Sequence, residues 1–325
     1  MALARPWALI ALLSPEQACR PTALALGSFD GVHAGHRHVI ARAVAMAAGP
    51  PALVPTVLSF WPHPREVLAG EPRLRLDLPN EKLSVLGPLG IEQLVLVPFD
   101  LQLAALTPEQ FVQQVLRDQL QAGAVVIGEN FRFGNRRSGG PEDLQRLGGS
   151  CGMAVDVLPL LDEGGSRYSS SRIRQALAEA DLVEAERLLQ RPYRFSGQVV
   201  RGRGLGRGLG WPTANLQVDG RKCLPKEGVY AAWAWRGDSQ QAMPAAMPAV
   251  MNLGRQPTID PEAPSAVEVH LLDAEVDLAG DSLRVQPLQW LRGQQAFGSL
   301  DELTGQISRD ADQARALLAG AQLPG

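Results

Sequence analysis

Hydrophobic and polar positions change rhythm twice along this chain. Up to about residue 160, short apolar runs alternate with segments of helical period. The runs TALALGSF (22–29), ALVPTVLSF (52–60), QLVLVPFD (93–100), AVVIGENF (124–131) and AVDVLPLL (154–161) read as strands. Between them, 36–48, 80–89, 107–121 and 141–147 read as helices. Thr107-Pro-Glu-Gln supplies a capping Thr, a Pro at the first helical position and a Gln three residues on. Five strands alternating with helices predict a doubly wound parallel sheet. A longer helix is expected over 171–190. From Tyr193 to about Arg292 the pattern turns to short strands and Gly/Pro turns, as in RFSGQVVRG, GVYAAWAW, AMPAVMNLG and AVEVHLLD. That texture predicts a small antiparallel barrel. An amphipathic helix over 300–319 is expected to pack against it. The boundary falls near Arg187–Pro192, giving domains 1–188 and 189–325 of α/β and β class.

Composition narrows the function classes. The 325 residues suit about two domains. A formal charge of −3 gives no basic field for nucleic acid. Cys19, Cys151 and Cys223 are scattered and odd in number, so they make neither a metal motif nor a disulfide framework, which fits a reducing compartment. The start holds Arg5 and a short apolar run, but Pro6 interrupts it and SPEQ ends it without an A-x-A site. A cytoplasmic protein is expected. No run approaches the ~20 apolar residues of a membrane span, so no membrane partner is expected either. The pattern fixes no oligomeric state.

Three of the five histidines lie within ALGSFDGVHAGHRH, between the first predicted strand and its helix. Ligands of doubly wound sheets sit beyond the carboxyl ends of strands, where chain order reverses. There Gly27, Gly31 and Gly35 permit close backbone approach, and the helix opening near His36 offers free N–H groups to phosphate. His33 and His36 can stabilise a transferring phosphoryl group. Ser28 and Phe29 sit in the same turn, and Asn130 follows the fourth strand in GENFRFG. Downstream, Ser169-Ser-Ser-Arg-Ile-Arg174 offers Ser170 and Ser171 as cap hydroxyls and Arg172 and Arg174 as phosphate donors. Two other readings fit the histidines: a zinc site of His33, His36, His38 and His63, or an incidental surface turn.

A second constellation opens the barrel. In GRGLGRGLGWPTAN, Gly202, Gly206 and Gly208 can form an amide nest for phosphates, and Thr213 and Asn215 offer oxygen ligands for Mg²⁺. The loop also fits a plain glycine turn before a strand. In VEVHLLD, Glu268 and His270 share the face opposite Val267, Val269 and Leu271. Glu268 suits a base for an attacking alcohol, and equally a solvated charge on an outer face.

Two motifs identify a superfamily. FDGVHAGH resembles the H-x-G-H signature of nucleotidyltransferases, with His33 and His36 on its histidines, and SSSRIR resembles their second signature, with Arg174 on its arginine. GLGWPTANL, GVYAA, NLGRQPTI and VEVHLLD look like a riboflavin kinase domain, while SFWPHPREVL, NEKLSVLGPLGIEQLVLVPFD, TPEQFV and GENFRFG are close to one enzyme family. The chain resembles, over nearly its whole length, the bifunctional riboflavin kinase/FAD synthetase family. The resemblance implies a doubly wound parallel (Rossmann-like) nucleotidyltransferase domain, then a small antiparallel β-barrel riboflavin kinase domain with a C-terminal helix. It implies ATP as co-substrate, riboflavin and FMN as substrates, FMN and FAD as products, and Mg²⁺. It gives Thr213 and Asn215 the handling of Mg–ATP, makes Glu268 the base for the ribityl hydroxyl, and puts Arg292 and Phe297 near the flavin. Ser28 replaces the usual Asn, Ser171 the usual Thr and Ala279 the common Tyr, and Pro287 and Leu288 interrupt a usual aromatic.

Four functions compete at this level: the bifunctional enzyme, an enzyme with one activity decayed, a flavin carrier without turnover, and a different H-x-G-H transferase. Intact PTAN, Glu268 and phosphate-handling residues favour the first, and the attached barrel disfavours the last.

Overall fold

A computed structural model describes residues 10–70, 73–201, 210–237, 245–254, 267–274 and 276–323. By their contacts they form two compact units. The first holds the described residues up to Arg73 and Asp77–Ser170, the second Leu74–Leu76 and the described residues from Ser171 on.

The first unit is built on six parallel strands in the order β1-β4-β3-β2-β5-β6. They are β1 (Ala11–Leu13), β2 (Thr22–Leu26), β3 (Val54–Trp61), β4 (Gln93–Pro98), β5 (Ala122–Gly128) and β6 (Ala154–Leu158). Successive side chains of a strand point to opposite faces, and here both faces are covered. Leu24, Leu26, Leu58, Val95 and Val125 pack with Val112, Val115 and Leu144. Ala25, Val57, Leu94 and Val126 pack with Val39, Ile40 and Ala43. This is the expected doubly wound sheet, with one strand more than the pattern predicts. β1 has three residues, too few to show a period, yet Ile10 beside it is buried in the core. A small hairpin, β7 (Asp162–Glu163) and β8 (Ser166–Arg167), follows the sheet.

Helices of this unit are α1 (Ala34–Ala47), α2 (Pro64–Ala69), α3 (Pro79–Leu86), α4 (Leu101–Ala105), α5 (Pro108–Gln110) and α6 (Pro141–Ser150). Thr107 caps α5 as expected, with its side chain accepting from the Gln110 N–H at 3.2 Å. The chain then runs on as a π-helix, Phe111–Gln119, rather than a plain α-helix.

The helix expected over 171–190 is two helices, α7 (Ser170–Ala178) and α8 (Leu182–Leu189). Ala180 turns left-handed at φ +62°, and Asp181 caps α8 by accepting from the Glu184 N–H at 2.9 Å. A short acidic side chain that offers a free helix end an acceptor competes with helix continuation. Beyond α8 lies the expected antiparallel barrel, closed in the order β10-β13-β12-β11-β14-β9. Its strands are β9 (Phe195–Val200), β10 (Ala214–Gln217), β11 (Gly228–Arg236), β12 (Met247–Leu253), β13 (Val267–Leu271) and β14 (Ser282–Arg292). Pro287 lies inside β14, opposite Ala232, beside a register shift that absorbs its missing donor. The C-terminal helix, Leu300–Gly320, lays Ala311, Ala314 and Leu318 on Ala231, Trp233 and Trp235.

Leu74–Leu76 joins the second unit through a short ladder. The Arg75 N–H donates to the Arg221 carbonyl at 2.6 Å, and the Cys223 N–H to the Arg75 carbonyl at 2.8 Å. Lys222, between them, is fully buried. Its ammonium donates to the Leu76 carbonyl at 2.6 Å and the Arg194 carbonyl at 3.2 Å, over the Tyr193 ring. Lys222→Met keeps the stem and strips those carbonyls of a donor. It should lower unfolding stability by about 2 kcal/mol, the scale of buried acceptors left unsatisfied. Urea denaturation checks this. A variant as stable as the parent would mean that desolvating the ammonium costs as much as its bonds return.

Candidate functional site

β2 is the strand from which the sheet extends both ways, with β3 on one side and β5 on the other. Chain order therefore reverses beside it, and the turn after it is where a ligand is expected. That turn is strained. Phe29 and Val32 adopt φ of +44° and +43°, with Gly31 at +90° between them. A β-branched residue with positive φ is an outlier that surrounding structure must hold in place. The side chains of Phe29 and Val32 are buried. The Ser28 carbonyl accepts from Ser59 Oγ at 3.1 Å and Lys82 Nζ at 2.9 Å. The Asp30 carbonyl accepts from Ser170 Oγ at 2.8 Å.

Held this way, the chain enters α1 with His33 as its N-cap residue and His36 in its first turn, the helix beginning two residues before the expected start at His36. The rings of His33 and His36 stack with centroids 3.7 Å apart, and Phe29 meets His36 edge-on at 5.3 Å. Burial pushes the His33 imidazole down to about 4, against the pull of Asp30. Burial first, then His33 and the Lys82 ammonium, hold His36 well below the ordinary range. Both rings are thus neutral near pH 7. Among the described residues, neither buried Nδ1 finds a hydrogen-bond partner. An enclosed lone pair is cheaper to leave unpaired than an enclosed N–H, which favours the proton on Nε2. Two neutral N–H donors at a helix N-terminus suit a phosphoryl oxygen. A Cβ on Gly35 would come within 3.3 Å of the His33 ring, so any larger residue there presses on the stacked pair.

Neither alternative for the histidines fits. The turn is core, not incidental surface. His38 is exposed, and His63 caps α2 by accepting from the Arg65 N–H. Among the described residues no three His, Cys, Asp or Glu side chains gather as a metal site.

Of the other expected residues, Gly27 and Ser28 lead from β2 into the strained turn, and Asn130 is exposed just past β5. Ser170 reaches the turn through Asp30. Ser171, Arg172 and Arg174 lie on α7 and group with the second unit. There Arg172 pairs with Glu184 at 2.8 Å, and Arg174 Nε donates to the Leu74 carbonyl at 3.1 Å. Lys82 escapes sequence reasoning: a lysine on a polar helical pattern reads as solvated, yet it is 7% exposed. Its one signal is its place in the NEKL segment.

In the barrel, Val267, Val269 and Leu271 are buried and Glu268 and His270 half-buried, as alternation predicts. Glu268 stands opposite Asn215 on β10 and opposite Asn252 on β12. Asn252 faces Val229, which faces Arg292. One row across the barrel thus carries Asn215, Glu268, Asn252 and Arg292. Thr213 is exposed just before β10. Its neighbour Pro212 is pinned to β13, its carbonyl 2.8 Å from His270 Nδ1, while Trp211 meets the His270 ring at 5.0 Å. A carbonyl only accepts, so the Nδ1 proton is fixed there. Arg292 is committed to structure. Its guanidinium donates to both carboxylate oxygens of buried Asp310 on the C-terminal helix and to the Gly293 carbonyl, with Phe297 5.8 Å away. Gly202, Gly206 and Gly208, and the RQPTI part of NLGRQPTI, lie outside the described residues.

Similarity to known proteins follows the same division. A family model for FAD synthetase matches residues 16–172, and one for riboflavin kinase matches residues 189–318. The bifunctional riboflavin kinase/FMN adenylyltransferase of Escherichia coli strain K12 is 38% identical over 303 residues, 93% of each chain. Its namesake in Pseudomonas fluorescens is 37% identical over 310 residues, 94% of this chain and 96% of that one. That of Bacillus subtilis is 34% identical over 314 residues, 93% and 94% respectively. A crystal structure named for a macrolide-efflux protein from Streptococcus pneumoniae matches with a TM-score of 0.78 at 29% identity, over 94% of this chain and 99% of that one. Efflux is said of that protein alone; no described helix here is long and apolar enough to cross a membrane. Two family models in sequence and relatives alike over more than nine-tenths of its length mean that this chain belongs to the bifunctional riboflavin kinase/FMN adenylyltransferase family.

Proposed function

We infer that this chain makes FAD from riboflavin in two ATP-dependent steps. The second unit phosphorylates riboflavin to FMN, and the first adenylylates FMN to FAD with release of pyrophosphate. The observation that carries this is the presence of both family domains in one chain, in the order of bifunctional relatives. We propose that the catalytic domains meet at 188/189, supported by the start of the kinase match at residue 189. A cytoplasmic location is in keeping with scattered, unpaired cysteines.

In the adenylyl transfer, a phosphate oxygen of FMN attacks the α-phosphorus of ATP as the bond to the pyrophosphate oxygen breaks. His33 and His36 give neutral N–H donors to the α-phosphate, and the α1 N-terminus adds its dipole. Gly27, Ser28, Phe29 and Gly35 shape the turn around the nucleotide, with Asn130 and Ser170 at its margins. Ser171, Arg172 and Arg174 carry the second signature, Arg174 for the pyrophosphate charge. Catalysis is then placement and charge stabilisation, without a covalent enzyme intermediate.

In the kinase step, the ribityl hydroxyl attacks the γ-phosphorus, its proton passes to the Glu268 carboxylate, and ADP leaves. Thr213 and Asn215 hold Mg–ATP, with Gly202, Gly206 and Gly208 about the phosphates. A hydroxyl and an amide oxygen without a carboxylate cluster fit Mg²⁺, which completes its shell with water and phosphate. When bound, the ion offsets phosphate charge. Phe297 offers a ring to the flavin, and Arg292 holds that segment in place.

Three outcomes test these assignments. His36→Ala and Arg174→Ala should each lower FAD formation by ~10²-fold or more, with FMN accumulating; unchanged FAD synthesis in His36→Ala removes that residue from the mechanism. Glu268→Gln should lower FMN formation by ~10²–10⁴-fold while supplied FMN is still converted to FAD. Phosphorylation at the parent rate would make Glu268 a solvated strand residue. The third outcome concerns acid stability. His33 titrates near 4 when folded against 6.5 ordinarily. Between these values the unfolded chain binds a proton that the folded chain refuses, so stability falls as pH drops from 6.5 toward 4. His33→Gln should flatten that fall in urea midpoints measured at pH 7 and pH 5. An equally steep fall in the variant would assign the loss to other groups.

A further inference from the structure

The row across the barrel contains an amide that the two reaction steps leave without a task. Asn252 sits opposite Glu268 on β12, as Asn215 does on β10, and all three are half-buried. Directly opposed residues of an antiparallel pair have Cβ atoms about 5 Å apart, within reach of short polar side chains. Asn252 is in turn gripped from outside the barrel. Gln294 Nε2 lies 2.8 Å from the Leu253 carbonyl and 2.8 Å from Asn252 Oδ1. A backbone carbonyl only accepts, so the Gln294 atom facing it must be the NH₂ group. The Asn252 atom facing that NH₂ must then be the oxygen. One backbone contact thus fixes both amide orientations and leaves the N–H donors of Asn252 for its neighbour across the ladder.

We propose that Asn252, oriented by Gln294, is a positioning residue that holds the Glu268 carboxylate for the kinase step. This rests on the reading of Glu268 as the base. A carboxylate on a strand can rotate about two side-chain bonds. A donor on the β12 side turns it into one arrangement, with Asn215 and its phosphate-handling role on the β10 side. Gln294 belongs to the LRGQQAF segment beyond β14, so this grip ties the base to the segment that carries Phe297.

The test uses the full chain and three variants, with kcat and KM for riboflavin phosphorylation measured at one pH. Asn252→Leu keeps the size but removes the donor. Gln294→Leu frees the Asn252 amide to rotate. In each, kcat should fall about tenfold with KM for riboflavin within about twofold, as when a transition-state interaction alone is lost. Glu268→Gln runs in parallel. If it is inactive while Asn252→Leu and Gln294→Leu keep the parent kcat, the positioning role is overturned and the base assignment stands. If Glu268→Gln phosphorylates riboflavin at the parent rate, the base assignment falls and this role with it. Should Asn252→Leu melt below the assay temperature, the kcat and KM of Gln294→Leu decide alone.

Discussion

Two backbone carbonyls hold the histidine-bearing turn after β2 together. Leaving β2, the chain must turn back into α1, and it does so through positive φ at Phe29 and Val32. Such a turn persists only where its polar groups are caught. Ser59 and Lys82 catch the Ser28 carbonyl, and Ser170 catches that of Asp30. The stacking of His33 on His36 depends on the turn, and so does their entry into the first turn of α1. The same arrangement keeps the rings neutral. They are shielded from water, and the ammonium that fixes the Ser28 carbonyl also disfavours a proton on His36. Neutral donors can be aimed at a phosphate without first shedding a tightly held shell of water or counterion.

The barrel solves a similar problem with register. Closure of six strands fixes which residues face one another, and strand alternation fixes which face they share. Asn215, Glu268, Asn252 and Arg292 come from four strands far apart in sequence and still fall in one row. The ends of that row are tied down. His270 pins the Pro212 carbonyl before β10, and Asp310 grips Arg292 after β14. The polar row of the second unit rests on the strand ladder.

Much of this is legible in the sequence because it is local. Strand runs, helical periods, the H-x-G-H turn and the alternation around Glu268 each need only a short window of residues. The misses share a physical cause. β1 is too short to carry a period, and its place at the edge of the sheet is decided by pairing with β4. The break between α7 and α8 is written in Asp181, but a capping side chain and an ordinary polar residue look alike within a helical pattern. Nothing in the local sequence around Lys82 or Lys222 marks burial, and tertiary folding buries both against backbone carbonyls. Arg292, which the resemblance puts near the flavin, pairs with Asp310 eighteen residues on, a contact that spacing does not announce. Asn252 acquires its neighbour only when β12 and β13 pair. Propensity and spacing cannot carry contacts that depend on the closed barrel.

If both steps belong to one chain, its two sites act in series. A time course of flavin products, separated by chromatography after incubating the intact protein with riboflavin, ATP and Mg²⁺, tests this. FMN should appear first and FAD follow at its expense, with one equivalent of pyrophosphate for each FAD. Riboflavin left unchanged by folded protein, or FMN that is never converted to FAD, would refute a series of two sites.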